Sequence, residues 1–197
     1  MPDSPRRRLG PELRRGTILD AAEPAFVTQP AAEVIVAEVA AAAGVSEALV
    51  FKYFGTKSGL QAAVLHRLGA ALATERAAAD AALPEGTSAR DRVARAIRGW
   101  LEAMASDRGI SLAAAPGDAV EVAAARAQVR ADWLDWLHGV LRLDASARDA
   151  FALVGFLGFL DAAGESWRAD GCPGTAQWPL TEAALDALQG ALGDWRS

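Results

Sequence analysis

Apolar residues recur along this chain at the three- and four-residue spacing of helix faces, and the breaks between them fall at glycine, proline and short polar side chains. A first helix is predicted from about Leu9 to Val27, with Leu13, Ile18, Ala22 and Phe26 turned toward its neighbours. Pro24 deletes a backbone donor inside it, so a kink or break is expected near Ala21. Val36, Val39 and Ala40 then share the face of a second, shorter helix. Gly44 suits the left-handed stop that follows, Val45 drops into the gap, and Ser46 can cap a third helix buried through Val50 and Phe54. Glu47, Ala48, Phe51 and Lys52 are left on the outer side of that helix.

The remainder is helical as well. A long helix is expected from Thr56 to about Ala82, carrying Leu60, Val64, Leu68 and Leu72 and stopped by Leu83-Pro84-Glu85-Gly86. Ser88 caps the next, which runs to about Ser106 through Val93, Ile97, Trp100, Leu101 and Met104. Residues 107–118 are broken by Gly109, Pro116 and Gly117 and are expected to hold only a short helix. Residues 119–143 form a helix with Val129, Trp133, Trp136, Leu137 and Val140 in register, and Asp144 or Ser146 restarts the chain. The segment from Ala147 to Ala169 is apolar most of the way round, with Phe151, Val154, Phe156, Leu157, Phe159, Leu160 and Ala163, so it needs cover on more than one side. A last helix from Leu180 to Trp195 carries Leu185, Leu188, Leu192 and Trp195 as a seam.

Composition narrows the picture. The 197 residues are 52% apolar and rich in alanine, the strongest helix former, which points to an all-α chain with ample core. The net charge of −5 is unevenly spread: residues 1–57 hold seven basic and seven acidic side chains, and the rest hold thirteen and eighteen. Both lysines, Lys52 and Lys57, stand in the glycine-turn region, and Arg6, Arg7 and Arg8 cluster near the start, where an arm of this kind can neutralise phosphates or reach a minor groove. The single cysteine, Cys172, excludes an intramolecular disulfide and fits a reducing cytoplasm. No apolar run follows the N-terminal arginines as in a signal peptide, and none approaches the ~20 residues of a membrane span. A soluble, cytoplasmic protein is therefore expected.

The residues Val39-Ala40, Ala43-Gly44-Val45-Ser46, Lys52-Tyr53-Phe54, Lys57 and Leu60 together resemble the helix-turn-helix domain of TetR-type (TetR/AcrR) transcriptional regulators. The resemblance covers roughly residues 9–65 by motif. It implies a basic arm over 1–8, a three-helix DNA-binding domain over 9–65, and an effector-binding and dimerisation domain over 66–197. It further implies a homodimer on double-stranded DNA that responds to a small-molecule effector through movement of the helix that starts near Thr56. The sequence departs from the family at Val34 and Ile35, where a threonine is common, and at Phe51, where a tyrosine is common. Each departure removes a hydroxyl that would contact phosphate.

By position, Ser46, Glu47, Ala48, Leu49, Phe51, Lys52, Tyr53 and Lys57 form the expected reading surface. Glu47 can accept from a cytosine amine, Ala48 can touch a thymine methyl, and Lys52 can donate to guanine or to phosphate, while Tyr53 and Lys57 suit phosphate clamps. Trp100, Met104, Trp133, Trp136, Phe156, Phe159 and Trp167 are the candidates for an apolar effector pocket, and a large flat hydrophobic effector is expected there. Phe151, Val154, Gly155, Gly158, Leu185, Leu188, Leu192 and Trp195 are the candidates for a four-helix packing between two copies. An enzyme is disfavoured. His66 and His138 lie on different helices without a neighbouring metal-ligand spacing, no phosphate loop or nucleophile elbow is present, and no metal or cofactor is expected. The rival reading is a helical small-molecule-binding or scaffold protein with weakened duplex affinity.

Overall fold

The structure is a computed structural model that describes residues 10–106, 117–144 and 146–193. Eight helices are found among the described residues, in two compact units over residues 1–64 and 65–197. No described helix is long and apolar enough to cross a membrane.

In the first unit, α1 (Pro11–Thr28) packs on α2 (Val36–Ala42), and α2 on α3 (Glu47–Phe54). Its core is Ile18, Leu19, Ala22, Val34, Val36, Val39, Ala40, Val50, Leu60 and Val64. The helix α1 starts two residues later than the sequence suggests, at Pro11, where a proline's missing donor has no partner to lose. It then runs through Pro24 without the expected break. Pro24 stands within two turns of the helix end, and the Thr28 hydroxyl donates to the Pro24 carbonyl oxygen at 2.7 Å, which closes the last turn. Leu13 is 65% exposed and not a packing residue. At ~100° per residue, five positions before Ile18 is the opposite side of the helix. Leu19 takes the place expected of it.

The second unit holds most of α4 (Lys57–Ala81), then α5 (Ala89–Ala105), α6 (Val120–Leu141), α7 (Ala147–Ala169) and α8 (Gly174–Leu192). Helix α5 is its centre and packs against α6, α7 and α8. Val93, Ile97, Trp100, Leu101 and Met104 are all buried, as the spacing predicts. Ser88 and Ser146 cap α5 and α7 by accepting from the Asp91 and Asp149 amides at 3.2 and 3.0 Å. Two glycines permit close approach: a Cβ on Gly69 would stand 2.4 Å from Val129, and one on Gly164 would stand 2.3 Å from the Trp100 ring. The short helix expected in 107–118 falls almost wholly outside the described residues.

Helix α7 carries apolar residues on both of its faces. Ala152, Leu153, Phe156, Leu157, Leu160 and Trp167 are buried, while Phe151 is 78% exposed and Val154, Gly155, Gly158 and Phe159 share its outward side. Leu185 and Leu188 correct the seam expected on α8. They are fully buried inside the protomer, because α7 and α5 cover that side of α8, and cannot serve a second copy. Leu192 is half-buried, and Trp195 lies outside the described residues.

Candidate DNA-reading head and effector cavity

The reading head is fixed by local backbone chemistry. Gly44 takes the left-handed conformation at φ +65°, and the amides of Gly44 and Val45 return to the Ala41 and Ala40 carbonyls at 3.0 and 2.9 Å. The Ser46 hydroxyl accepts from the Leu49 amide at 3.3 Å, capping α3. Val50 anchors the inner side of α3, and Glu47, Ala48, Phe51 and Lys52 are exposed on the other. Leu49 and Tyr53 are half-buried, as is Phe54, whose ring lies 5.2 Å beneath the Arg15 guanidinium. Gly55, at φ +75°, ends α3, and the Thr56 hydroxyl accepts from the Gly59 amide at 2.9 Å to begin α4.

Lys57 does more than its sequence position suggests. Its ammonium donates to the Ala32 carbonyl oxygen at 2.9 Å, stitching the start of α4 to the loop before α2 and leaving two further donors on the same nitrogen. The N-terminus of α2 has no side-chain cap at Ile35, which is exposed, while Val34 is buried. Arg6, Arg7 and Arg8 lie outside the described residues.

In the second unit a cavity of about 170 Å³ opens between α4, α5 and α6. Of the seven aromatic and methionine candidates it takes three, Trp100, Trp133 and Trp136. Met104, Phe156 and Trp167 are closed into the core, the last with its indole nitrogen donating to the Pro173 carbonyl at 3.0 Å. Phe159 faces outward on α7. The rest of the wall is not the apolar lining expected: Glu75, Arg76, Asp80, Arg92, Arg95 and Glu102 all border it. Sequence reading treats such charges on alanine-rich helices as solvated. The spacing of Arg76 and Asp80 on α4 and of Arg92 and Arg95 on α5 puts each pair on one face of its helix, and the structure brings the two faces to the same cavity.

Those charges are ordered by specific partners. Asp80 accepts both Nε of Arg92, at 2.7 Å, and its Nη2, and also accepts from the Trp136 indole. These hydrogen bonds, the Arg92 one foremost, hold the Asp80 carboxyl below its ordinary range. Trp133 and Trp136 meet edge to face with centroids 5.8 Å apart, and the Arg76 guanidinium sits in the corner between them, 4.5 and 5.1 Å from the two rings. Burial pulls the Arg76 pKa down to about 10, so it remains charged at neutral pH. Its Nη2 donates to the Asp132 carbonyl at 3.1 Å, but its Nε is buried without a partner. The Trp100 indole nitrogen is in the same state, on a side chain only 3% exposed. Among the described residues, no group of three or more histidine, cysteine or acidic side chains could hold a metal ion.

Comparison with known proteins places this architecture. Residues 18–64 match the family described as bacterial regulatory proteins, tetR family. A tetR-family transcriptional regulator from Streptomyces coelicolor superposes with a TM-score of 0.73 at 21% identity, covering 93% of this chain and 80% of that one. A TetR-like regulator from Rhodococcus sp. RHA1 gives 0.64 at 23% identity over 95% and 100% of the two chains. The transcriptional regulator FadR from Bacillus subtilis, solved in complex with stearoyl-CoA, gives 0.66 at 16% identity over 90% and 97%. No curated protein matches.

Proposed function

We propose that this chain, whose residues 18–64 match the tetR family of bacterial regulatory proteins, is a DNA-binding homodimeric repressor released from a palindromic operator by a small molecule held between α4, α5 and α6. The observation that carries the reading is the outer face of α3. Glu47, Ala48, Phe51 and Lys52 project from a helix whose entry is locked by Gly44 and Ser46 and whose inner side is pinned by Val50. In a major groove, Lys52 donates to guanine or phosphate, Glu47 accepts from cytosine, and Ala48 and Phe51 suit thymine methyl groups. Tyr53 and the two remaining donors of Lys57 meet the phosphates on either side. The outward stripe of Phe151, Val154, Gly155, Gly158 and Phe159 on α7 supports a dimer in which α7 and α8 pack against their copies, with the small, exposed Ala183, Ala187 and Gly190 as the contribution of α8. A ligand that favours wrongly spaced reading heads then lowers operator affinity, and DNA lowers ligand affinity by the same factor.

The test is selection of duplexes from a random pool by the purified protein. Recovery of a palindrome with half-sites about one helical turn apart is expected. Lys52→Ala and Lys57→Ala should each weaken binding and reduce the salt slope by about one. Recovery of sequence-independent binding with little salt sensitivity would refute the reading.

A further inference from the structure

We infer that the ligand of the α4–α5–α6 cavity is a compact, planar organic anion, a single aromatic ring bearing a carboxylate. The inference rests on the reading of this cavity as the effector site and names the chemistry that site selects. Three observations carry it. The cavity, at about 170 Å³, is close to the ~150 Å³ of an engineered apolar cavity that takes up benzene, so it holds about one ring and has no room for a long acyl chain. Two side chains of its wall hold donors without acceptors: Trp100 Nε1 and Arg76 Nε are buried without partners, and a buried unsatisfied donor is costly until something accepts from it.

The third observation is the sign of the charge. The cations of the wall, Arg76, Arg92 and Arg95, are half-buried, whereas the carboxylates Glu75 and Glu102 are exposed, and the remaining acid, Asp80, is held by Arg92 and Trp136. With Arg92 and Asp80 paired to each other, the cations left to face a ligand are Arg95 and Arg76, the latter with Asp132 nearby. A cationic ligand would ordinarily seek the faces of Trp133 and Trp136, but Arg76 already occupies that corner and repels a second cation. An aromatic carboxylate instead meets a guanidinium, an indole N–H and the remaining ring surfaces.

The test uses the full chain without DNA and three probes of one shape, namely benzoate, benzamide and benzylammonium, followed by tryptophan fluorescence and titration calorimetry. Benzoate should saturate at one per chain, benzamide should bind about tenfold or more weaker, and benzylammonium should not bind, since charge-assisted hydrogen bonds account for differences of that size. Arg76→Gln should abolish the preference of benzoate over benzamide, and Trp100→Phe, which removes the N–H together with the outer ring edge, should weaken both. Arg95→Gln, at a half-exposed position, guards against misfolding of the Arg76 variant and should also reduce the preference. Benzylammonium binding as tightly as benzoate, benzoate affinity unchanged in both arginine variants, or no saturation by any probe at millimolar concentration would each overturn the inference. Duplex binding by the same preparation separates the two readings: failed ligand selection with intact operator binding refutes the ligand class alone, and charge-selective binding without duplex binding leaves the ligand class standing.

Discussion

Gly164→Ala is the substitution whose outcome the packing of the second unit decides most sharply. In a helix interior alanine is favoured over glycine by about 1 kcal/mol, so the change by itself should stabilise. Here the new methyl would stand 2.3 Å from Trp100 Cη2 and 2.7 Å from Cζ3. Carbon atoms rest at about 3.5–4.0 Å, so the overlap exceeds an ångström. Trp100 is buried where α5 packs against α7, beside the cavity it lines. Forcing a side chain off its seat in this way costs about 1–3 kcal/mol, enough to cancel or exceed the helix gain. Gly139→Ala on α6 is the matched control, because nothing lies within 4 Å of its Cβ and it reports the helix gain alone. In urea unfolding followed by circular dichroism, Gly164→Ala should fall below Gly139→Ala by about 1–3 kcal/mol. In a Trp100→Phe background, where the outer ring edge is gone, most of that difference should vanish, giving a coupling of the size that contacting residues show. Benzoate affinity should fall with the volume Trp100 takes from the cavity. If Gly164→Ala stabilises as much as Gly139→Ala, the account of Trp100 as a fixed wall is wrong.

The other expectations are briefer. Gly59→Ala would put a methyl 2.1 Å from the Phe54 carbonyl oxygen, a backbone atom that cannot step aside, and should cost on the order of 3 kcal/mol and remove operator binding, as checked by thermal unfolding and gel shift. Ser46→Ala removes the α3 cap and should cost about 1 kcal/mol, with unfolding of the first unit easing at all pH values. Because the folded-state pKa of Asp80 lies below its ordinary 3.8, the contribution of the Arg92 pair is present above that pH and lost as pH falls through the lower folded value. Asp80→Asn should therefore flatten the acid limb of the stability profile below about pH 4. Phe151→Lys, on the outward side of α7, should leave circular dichroism unchanged and shift the protein from dimer to monomer in analytical ultracentrifugation.

Periodicity carried most of the fold. The helix boundaries at α5 and α7 follow from Ser88 and Ser146, and the buried faces from spacings that survive any detail of packing. The turn at Gly44 and the cap at Ser46 were legible because each needs a particular residue type at a particular backbone conformation. What could not be read was which of two apolar faces a neighbour takes. Leu185 and Leu188 look like a seam for another copy, yet α5 and α7 of the same chain consume them, a choice made by tertiary contacts alone. Pro24 was read as a breaker because its cost is local, whereas the burial of Ile18, Leu19 and Ala22 that holds α1 together is not. The tryptophans marked the cavity, but its charges lay with Arg76, Arg92 and Arg95, and the sequence neighbours of Arg76 say nothing of the two rings it meets on α6.

The placement of Arg76 between Trp133 and Trp136 amounts to the protein carrying its own surrogate for one kind of guest. Where another binding site would leave an aromatic corner vacant for an ammonium group, this one is filled by a tethered guanidinium, at an effective concentration no free cation can match. On the ligand class proposed above, this single side chain decides against a cationic guest. Replacing Arg76 with a shorter neutral residue would vacate the corner between the two rings while Arg92 and Arg95 stayed in the wall. The corner can therefore be altered at one position, apart from the face of α3.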